Sequence, residues 1–224
     1  MPGPESFARP TDPPIRGWLH APHTPSGEAL VLTHGAGGNS QASLLVALAE
    51  VFSAAGTTVL RCDLPYRQTR SFGPPGPADG ARDRAGLKNA VAEMRKLISG
   101  RIFLGGHSYG GRQSSMLCAE EPDLVAGLLL LSYPLHPPRR PEQQRTQHLP
   151  DLRTPALFVS GTRDPFGSTE ELERALKMIP ARTKLMSIEG AGHDLGFKGK
   201  AKADDLPSQI LKAFNYVKEA ASKT

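Results

Sequence analysis

The chain has 224 residues, enough for one domain with a sizeable core, and its 27 Lys and Arg against 22 Asp and Glu give a formal charge of +5. The basic residues are scattered apart from Lys198, Lys200 and Lys202; with a single Trp and no nucleic-acid motif, nucleic acid is excluded as an expected partner. No run approaches the roughly 20 apolar residues of a membrane span, and "MPGPESFARPTDPP" lacks a signal-peptide core, so no membrane partner and a cytoplasmic location are expected.

Residues 1–14 read as a loosely held, flexible arm ahead of a domain at 15–224. Strands are predicted at 15–21 and 29–33, followed by the glycine-rich "THGAGGN" at 33–39 and a helix at 41–55. A strand at 57–62 leads into 64–79, "LPYRQTRSFGPPGPAD", whose proline and arginine read as a long loop. A helix at 80–99, a strand at 101–104 and a helix at 109–120 follow, with "GGHSYGG" (105–111) at the junction. Next come a strand at 127–132, a second long loop at 134–154, and a strand at 156–160. The chain closes with a helix at 168–178, a strand at 184–188 and a helix at 205–221, which sets Leu206, Ile210, Ala213, Phe214 and Val217 on one face.

The runs "GLLLLS" and "ALFVSG" are apolar on both faces, as strands covered on each side by helices must be. Strand and helix in alternation imply an α/β fold: a mainly parallel sheet of about six to seven strands with helices on both faces. Cys62 and Cys118 lack metal or redox spacing and read as reduced, buried thiols.

Active sites of such sheets form beyond the carboxyl ends of the strands. Three of those ends carry chemistry. Ser108 sits between a strand and a helix in Gly106-His107-Ser108-Tyr109-Gly110, a G-x-S-x-G pattern whose small flanks permit a sharp elbow. Asp164 follows a strand in "FVSGTRDPFG", and His193 follows the next in "EGAGHD". A serine hydroxyl needs an imidazole to take its proton, and the imidazole needs a carboxylate to fix its tautomer and stabilise its charge. An oxyanion hole is expected from a backbone amide of Ala36 or Gly37 together with that of Tyr109. Each residue alone could be an ordinary loop residue; their shared placement and order make Ser108 the nucleophile. His34 and His107 read as structural neighbours of the turns, Asp194 as an adjacent and less suitable acid, and Asp63 as a possible wall of the site. The chemistry calls for no cofactor and no metal.

The order Ser, Asp, His resembles that of α/β-hydrolases, and the resemblance runs from about residue 15 to 221. Within that superfamily "LTHGAGG", "RCDLPYR", "GGHSYGGR" and "GTRDPFG" resemble the compact dienelactone-hydrolase-like predicted serine hydrolases, a group that includes testis-expressed and chromatin-complex relatives. The resemblance implies an esterase-type fold without a separate lid domain and places the acid at Asp164. Dienelactone hydrolases proper use a cysteine where this chain has Ser108, so their activity does not transfer with the motif.

A serine hydrolase of short esters or related acyl bonds is therefore expected, with a small-molecule acyl substrate. Two other functions use the same residues: an interaction module that keeps the fold with little turnover, and an acyltransferase. The polar 134–154 loop, with Arg139, Arg140, Arg145 and Arg153, does not suit a lipase lid. Tyr66, Arg67, Arg70 and Arg139 are candidates to face the site, where a guanidinium would pair with a substrate carboxylate.

Overall fold

The computed structural model describes residues 3–197 and 205–222; Lys198, Lys200 and Lys202 lie outside the described residues. Among the described residues eight strands form one sheet in the order β1-β2-β4-β3-β5-β6-β7-β8. They are β1 (Glu5–Arg9), β2 (Ile15–His20), β3 (Ala29–Thr33), β4 (Thr58–Cys62), β5 (Ile102–His107), β6 (Gly127–Leu131), β7 (Ala156–Gly161) and β8 (Thr183–Ile188). Strands β3 to β8 run parallel, while β2 is antiparallel to both β1 and β4.

The sheet has one strand more than the alternation predicts. Residues 5–9 are not a loose arm but the edge strand β1, in register with β2 from Glu5 opposite Leu19 to Arg9 opposite Ile15. Only Phe7 of its five residues is buried, so the strand carries no alternating apolar signature. Pairing with β2 holds it, which a local reading cannot see.

Among the described residues six helices accompany the sheet: α1 (Ser43–Ala54), α2 (Pro65–Thr69), α3 (Asp79–Leu97), α4 (Tyr109–Glu120), α5 (Thr169–Leu176) and α6 (Leu206–Ala221). The first long loop thus contains a short helix, α2, and the second a 3₁₀ turn at Leu149–Asp151. Successive strand side chains alternate between two cores. Leu30, Leu32, Phe103 and Leu129 pack with α1 and α6 through Leu48, Phe52 and Phe214. Val31, Leu104, Leu128 and Phe158 pack with α3 and α4 through Leu87, Met94 and Leu117. That division explains why "GLLLL" has no polar face: Leu128 and Leu130 serve one core, Leu129 and Leu131 the other. No separate lid domain is present among the described residues.

Candidate active site

Strand β5 ends at His107 and α4 begins at Tyr109, leaving Ser108 alone to turn the chain. It adopts φ 50° and ψ −115°, a conformation costly for a residue with a side chain. The Ser108 amide is fixed by donating to Leu131 O at 2.7 Å. The turn is so close that a Cβ at Gly106 would meet Thr33 O at 2.7 Å, and one at Gly110 would meet His34 O at 2.5 Å. Gly-x-Ser-x-Gly is therefore a packing requirement here.

Three strand ends converge on the serine. Ser108 Oγ lies 2.8 Å from His193 Nε2, and His193 Nδ1 lies 2.8 and 3.0 Å from the two oxygens of Asp164. Since a carboxylate only accepts, Nδ1 carries the proton and Nε2 is left to accept from the Ser108 hydroxyl. Asp164 is buried, and its Oδ1 also accepts from the Phe166 amide at 2.9 Å. Phe166 lays its ring against His193, with centroids 4.2 Å apart. His107 donates from Nε2 to the His193 carbonyl at 2.7 Å, tying the histidine loop to the elbow. Asp194 Oδ1 accepts from the Gly196 amide at 3.0 Å, while the oxygens that meet His193 Nδ1 are those of Asp164.

The loop at 34–38 is held from behind. Fully buried His34 donates from Nδ1 to Gly35 O and accepts the Leu64 amide at Nε2, 2.9 and 3.1 Å away. Burial holds its imidazole below the ordinary value, in keeping with this neutral tautomer. Tyr66 Oη donates to Ala36 O at 2.9 Å. Arg67 donates from Nε to Gly38 O at 2.8 Å and from Nη2 to Ala36 O at 3.1 Å and Gly73 O at 2.9 Å. The loop's carbonyls thus point to α2. Among the described residues the amides of Ala36, Gly37 and Tyr109 have no protein acceptor. Gly35 packs against Ser108, since a Cβ there would lie 3.3 Å from Ser108 Cβ.

The proposed substrate arginines need correcting. Tyr66 and Arg67 are buried behind the 34–38 loop, and Arg67 spends its donors on backbone carbonyls. Arg70 pairs with Asp79. Arg139 is exposed, at φ 61°, and outside the cleft. Asp63 likewise lies outside the cleft and accepts the Ser40 amide at 2.6 Å. The cleft above Ser108 encloses about 720 Å³, and its guanidiniums are those of Arg112 and Arg145. Its apolar walls come from Leu44 and Leu45 of α1, from the prolines between 74 and 77, and from Phe166 and Phe197. Sequence reasoning missed Arg112 and Phe166. Helical spacing offered a signal for the first, one turn after Ser108; nothing in "DPFG" marks Phe166 as the histidine's stacking partner. Asp83 was also missed: buried on α3, it accepts from the Tyr66 amide at 3.0 Å and from Tyr109 Oη at 2.8 Å. Burial raises its carboxyl above the ordinary value. Among the described residues no group of three His, Cys, Asp or Glu side chains is placed to hold a metal ion.

This architecture is shared with solved structures. Dienelactone hydrolase from Anabaena variabilis superposes with a TM-score of 0.75 at 20% identity, covering 95% of this chain and 98% of that one. A serine hydrolase without a lid from Xanthomonas campestris gives 0.71 at 18% identity, covering 95% and 94%. A 48-residue stretch is 46% identical to the polyketide synthase ThaQ of Burkholderia thailandensis; it is 21% of this chain and 2% of that protein's length. The family described as "Alpha/beta hydrolase domain" matches residues 26–220. That match spans most of the sheet and every residue of the Ser108–His193–Asp164 arrangement, and the chain belongs to this α/β-hydrolase family.

Proposed function

We propose that the protein is a serine hydrolase that cleaves short-chain, carboxylesterase-type esters or related acyl bonds through an acyl-enzyme, with Ser108, His193 and Asp164 as its triad. The observation that carries this reading is the continuous hydrogen-bonded line from Ser108 Oγ through His193 to Asp164. Ser108 Oγ attacks the acyl carbon while its proton passes to His193 Nε2. The oxygen of the tetrahedral intermediate takes the negative charge and is met by the amide of Tyr109 and that of Ala36 or Gly37. Collapse expels the alcohol, which takes the proton from His193. Water then attacks the acyl-enzyme, with His193 as base, and releases the acid and free Ser108.

An alcohol or amine in place of water would make the same site an acyltransferase, and an interaction module would need none of this chemistry. The strain at Ser108 and the orientation of His193 support turnover over mere binding. No helix among the described residues is long and apolar enough to cross a membrane. The two buried free thiols support a reducing, cytoplasmic setting as part of this proposal.

A fluorophosphonate probe should label the protein, and Ser108→Ala should lose both labelling and, by several orders of magnitude, ester turnover. Retained hydrolysis in the variant would remove Ser108 from the mechanism. A series of p-nitrophenyl esters of increasing chain length should show preference for short acyl groups; preference for octanoate or longer would overturn that part of the reading.

A further inference from the structure

Five of the described arginines meet a carboxylate: Arg9 meets Glu93, Arg70 Asp79, Arg82 Asp12, Arg84 Glu120 and Arg101 Glu28. Of those that do not, Arg112 and Arg145 are the two that line the cleft around Ser108 among the described residues. Among the described residues neither takes part in an ion pair, yet both are half-buried and both line the cleft that holds Ser108. Arg112 lies one helical turn beyond the serine, its amide donating to Ser108 O at 2.9 Å. Its Nε is buried without a hydrogen-bond partner. Arg145 is braced for position, since its amide donates to Leu135 O at 2.7 Å and its carbonyl accepts from Tyr133 Oη at 2.7 Å. Its Nη1 reaches Pro134 O at 3.3 Å. Burial and then the charge of Arg112 hold its guanidinium below the ordinary value, which marks the two cations as neighbours. Asp194 is the only carboxylate lining the cleft among the described residues, and it follows His193 directly in the chain.

Two neighbouring guanidiniums without a counter-ion repel each other and are poorly solvated, a cost that a bound anion removes. The charged wall is made of planar forks, which match a planar carboxylate bidentately. We propose that Arg112 and Arg145 form a subsite for a carboxylate carried by the substrate, so that the preferred ester is a small one bearing a free acid group. This deepens the hydrolase reading and rests on it for the bond that is cleaved. Carboxylate recognition, expected of Arg67, Arg70 and Arg139, moves to two other arginines.

The test compares esters of equal length, methyl butyrate and monomethyl succinate, on wild type, Arg112→Gln and Arg145→Gln. Wild type should favour the charged ester, and the ratio of the two kcat/KM values should fall roughly tenfold to a hundredfold in each variant. Arg112→Lys, which keeps the charge but not the fork, should give an intermediate ratio and covers the case of a poorly folded glutamine variant. Ratios that stay the same in all four proteins overturn the subsite. Absence of turnover on both esters, with Ser108 unlabelled by the fluorophosphonate, overturns the hydrolase reading instead. In that event calorimetric titration with succinate still decides, since weaker binding to Arg112→Gln supports the subsite and equal binding overturns it. Inorganic phosphate binding more tightly than succinate would overturn the choice of carboxylate.

Discussion

Two clefts of similar size lie at opposite ends of the parallel strands. The one beyond the carboxyl ends encloses about 720 Å³ and holds Ser108, His193 and Arg112. The one at the amino ends, about 690 Å³, is lined by residues at the starts of β5, β6 and β7, with Arg95, Arg101 and Arg153. Volume and arginine content do not separate them. What separates them is how far the polar groups are already satisfied. At the amino ends Arg95 donates to Leu124 O, Arg101 is occupied by Glu28, Lys218 O and Ser222, and Arg153 is exposed to solvent. At the carboxyl ends three amides have no protein acceptor among the described residues, and the serine–imidazole pair backed by Asp164 stands beside two guanidiniums that take part in no ion pair there. Backbone strain divides in the same way. The non-glycine residues with positive φ among the described ones, Ser108, Ser132, Arg139 and Leu195, all follow the carboxyl ends of β5, β6 or β8. Unspent hydrogen-bonding capacity and local strain mark the end that holds the candidate site.

The comparison breaks most sharply at the acid. Asp164→Asn should lower kcat on the order of 10³- to 10⁴-fold with the fold intact, because the amide keeps the size but can present the wrong group to His193 Nδ1 and cannot stabilise its charge. Asp194→Asn should cost far less. If steady-state kinetics crippled the Asp194 variant instead, the Asp164 bond at His193 would not be the functional one.

A smaller effect is expected one layer out. Arg67 and Tyr66 fix the carbonyls of the 34–38 loop and so leave the amides of Ala36 and Gly37 turned away from α2. Arg67→Met should lower kcat roughly tenfold to a hundredfold with little change in KM, because a loop displaced by a fraction of an ångström affects the oxyanion more than the ground state. A rise in KM alone would mean that Arg67 contacts substrate, contrary to its burial.

The smallest effect belongs to the amino ends and should spare catalysis. Glu28 accepts from Arg101 and Lys218, joining the starts of β3 and β5 to α6. Burial would raise its carboxyl, but the hydrogen bonds from Lys218 and Arg101 outweigh it and hold the group below the ordinary carboxylate value. The unfolded chain then takes up this proton first as pH falls, so the stabilisation is present above the ordinary carboxylate range and lost below it. Glu28→Gln should cost about 1–3 kcal/mol at neutral pH, flatten the acid limb of a Tm-against-pH curve, and leave kcat/KM unchanged. A loss of activity at constant stability would show that the two ends are coupled.

Much of the α/β pattern was legible because parallel strands covered on both faces leave apolar runs such as "GLLLL", and because helices end where glycine and proline interrupt them. Helix α4 occupies the predicted 109–120. Ser108, Asp164 and His193 were singled out for a related reason: each follows the carboxyl end of a strand, Ser108 directly and the other two within a short loop. Strand β1 was not, since its hydrogen bonds go to β2 rather than to a local pattern. The arginines were not, because Arg67, Arg70, Arg112, Arg139 and Arg145 are chemically identical in sequence. Whether a guanidinium faces a carbonyl, a carboxylate, solvent or an open cleft depends on what the fold brings beside it. The sequence by itself determined the layered sheet and the order in which Ser108, Asp164 and His193 follow strand ends, because burial and turn-making are local demands on residue type. Only the tertiary structure decided which cations remained without a partner, because pairing is a property of residues that meet across the chain.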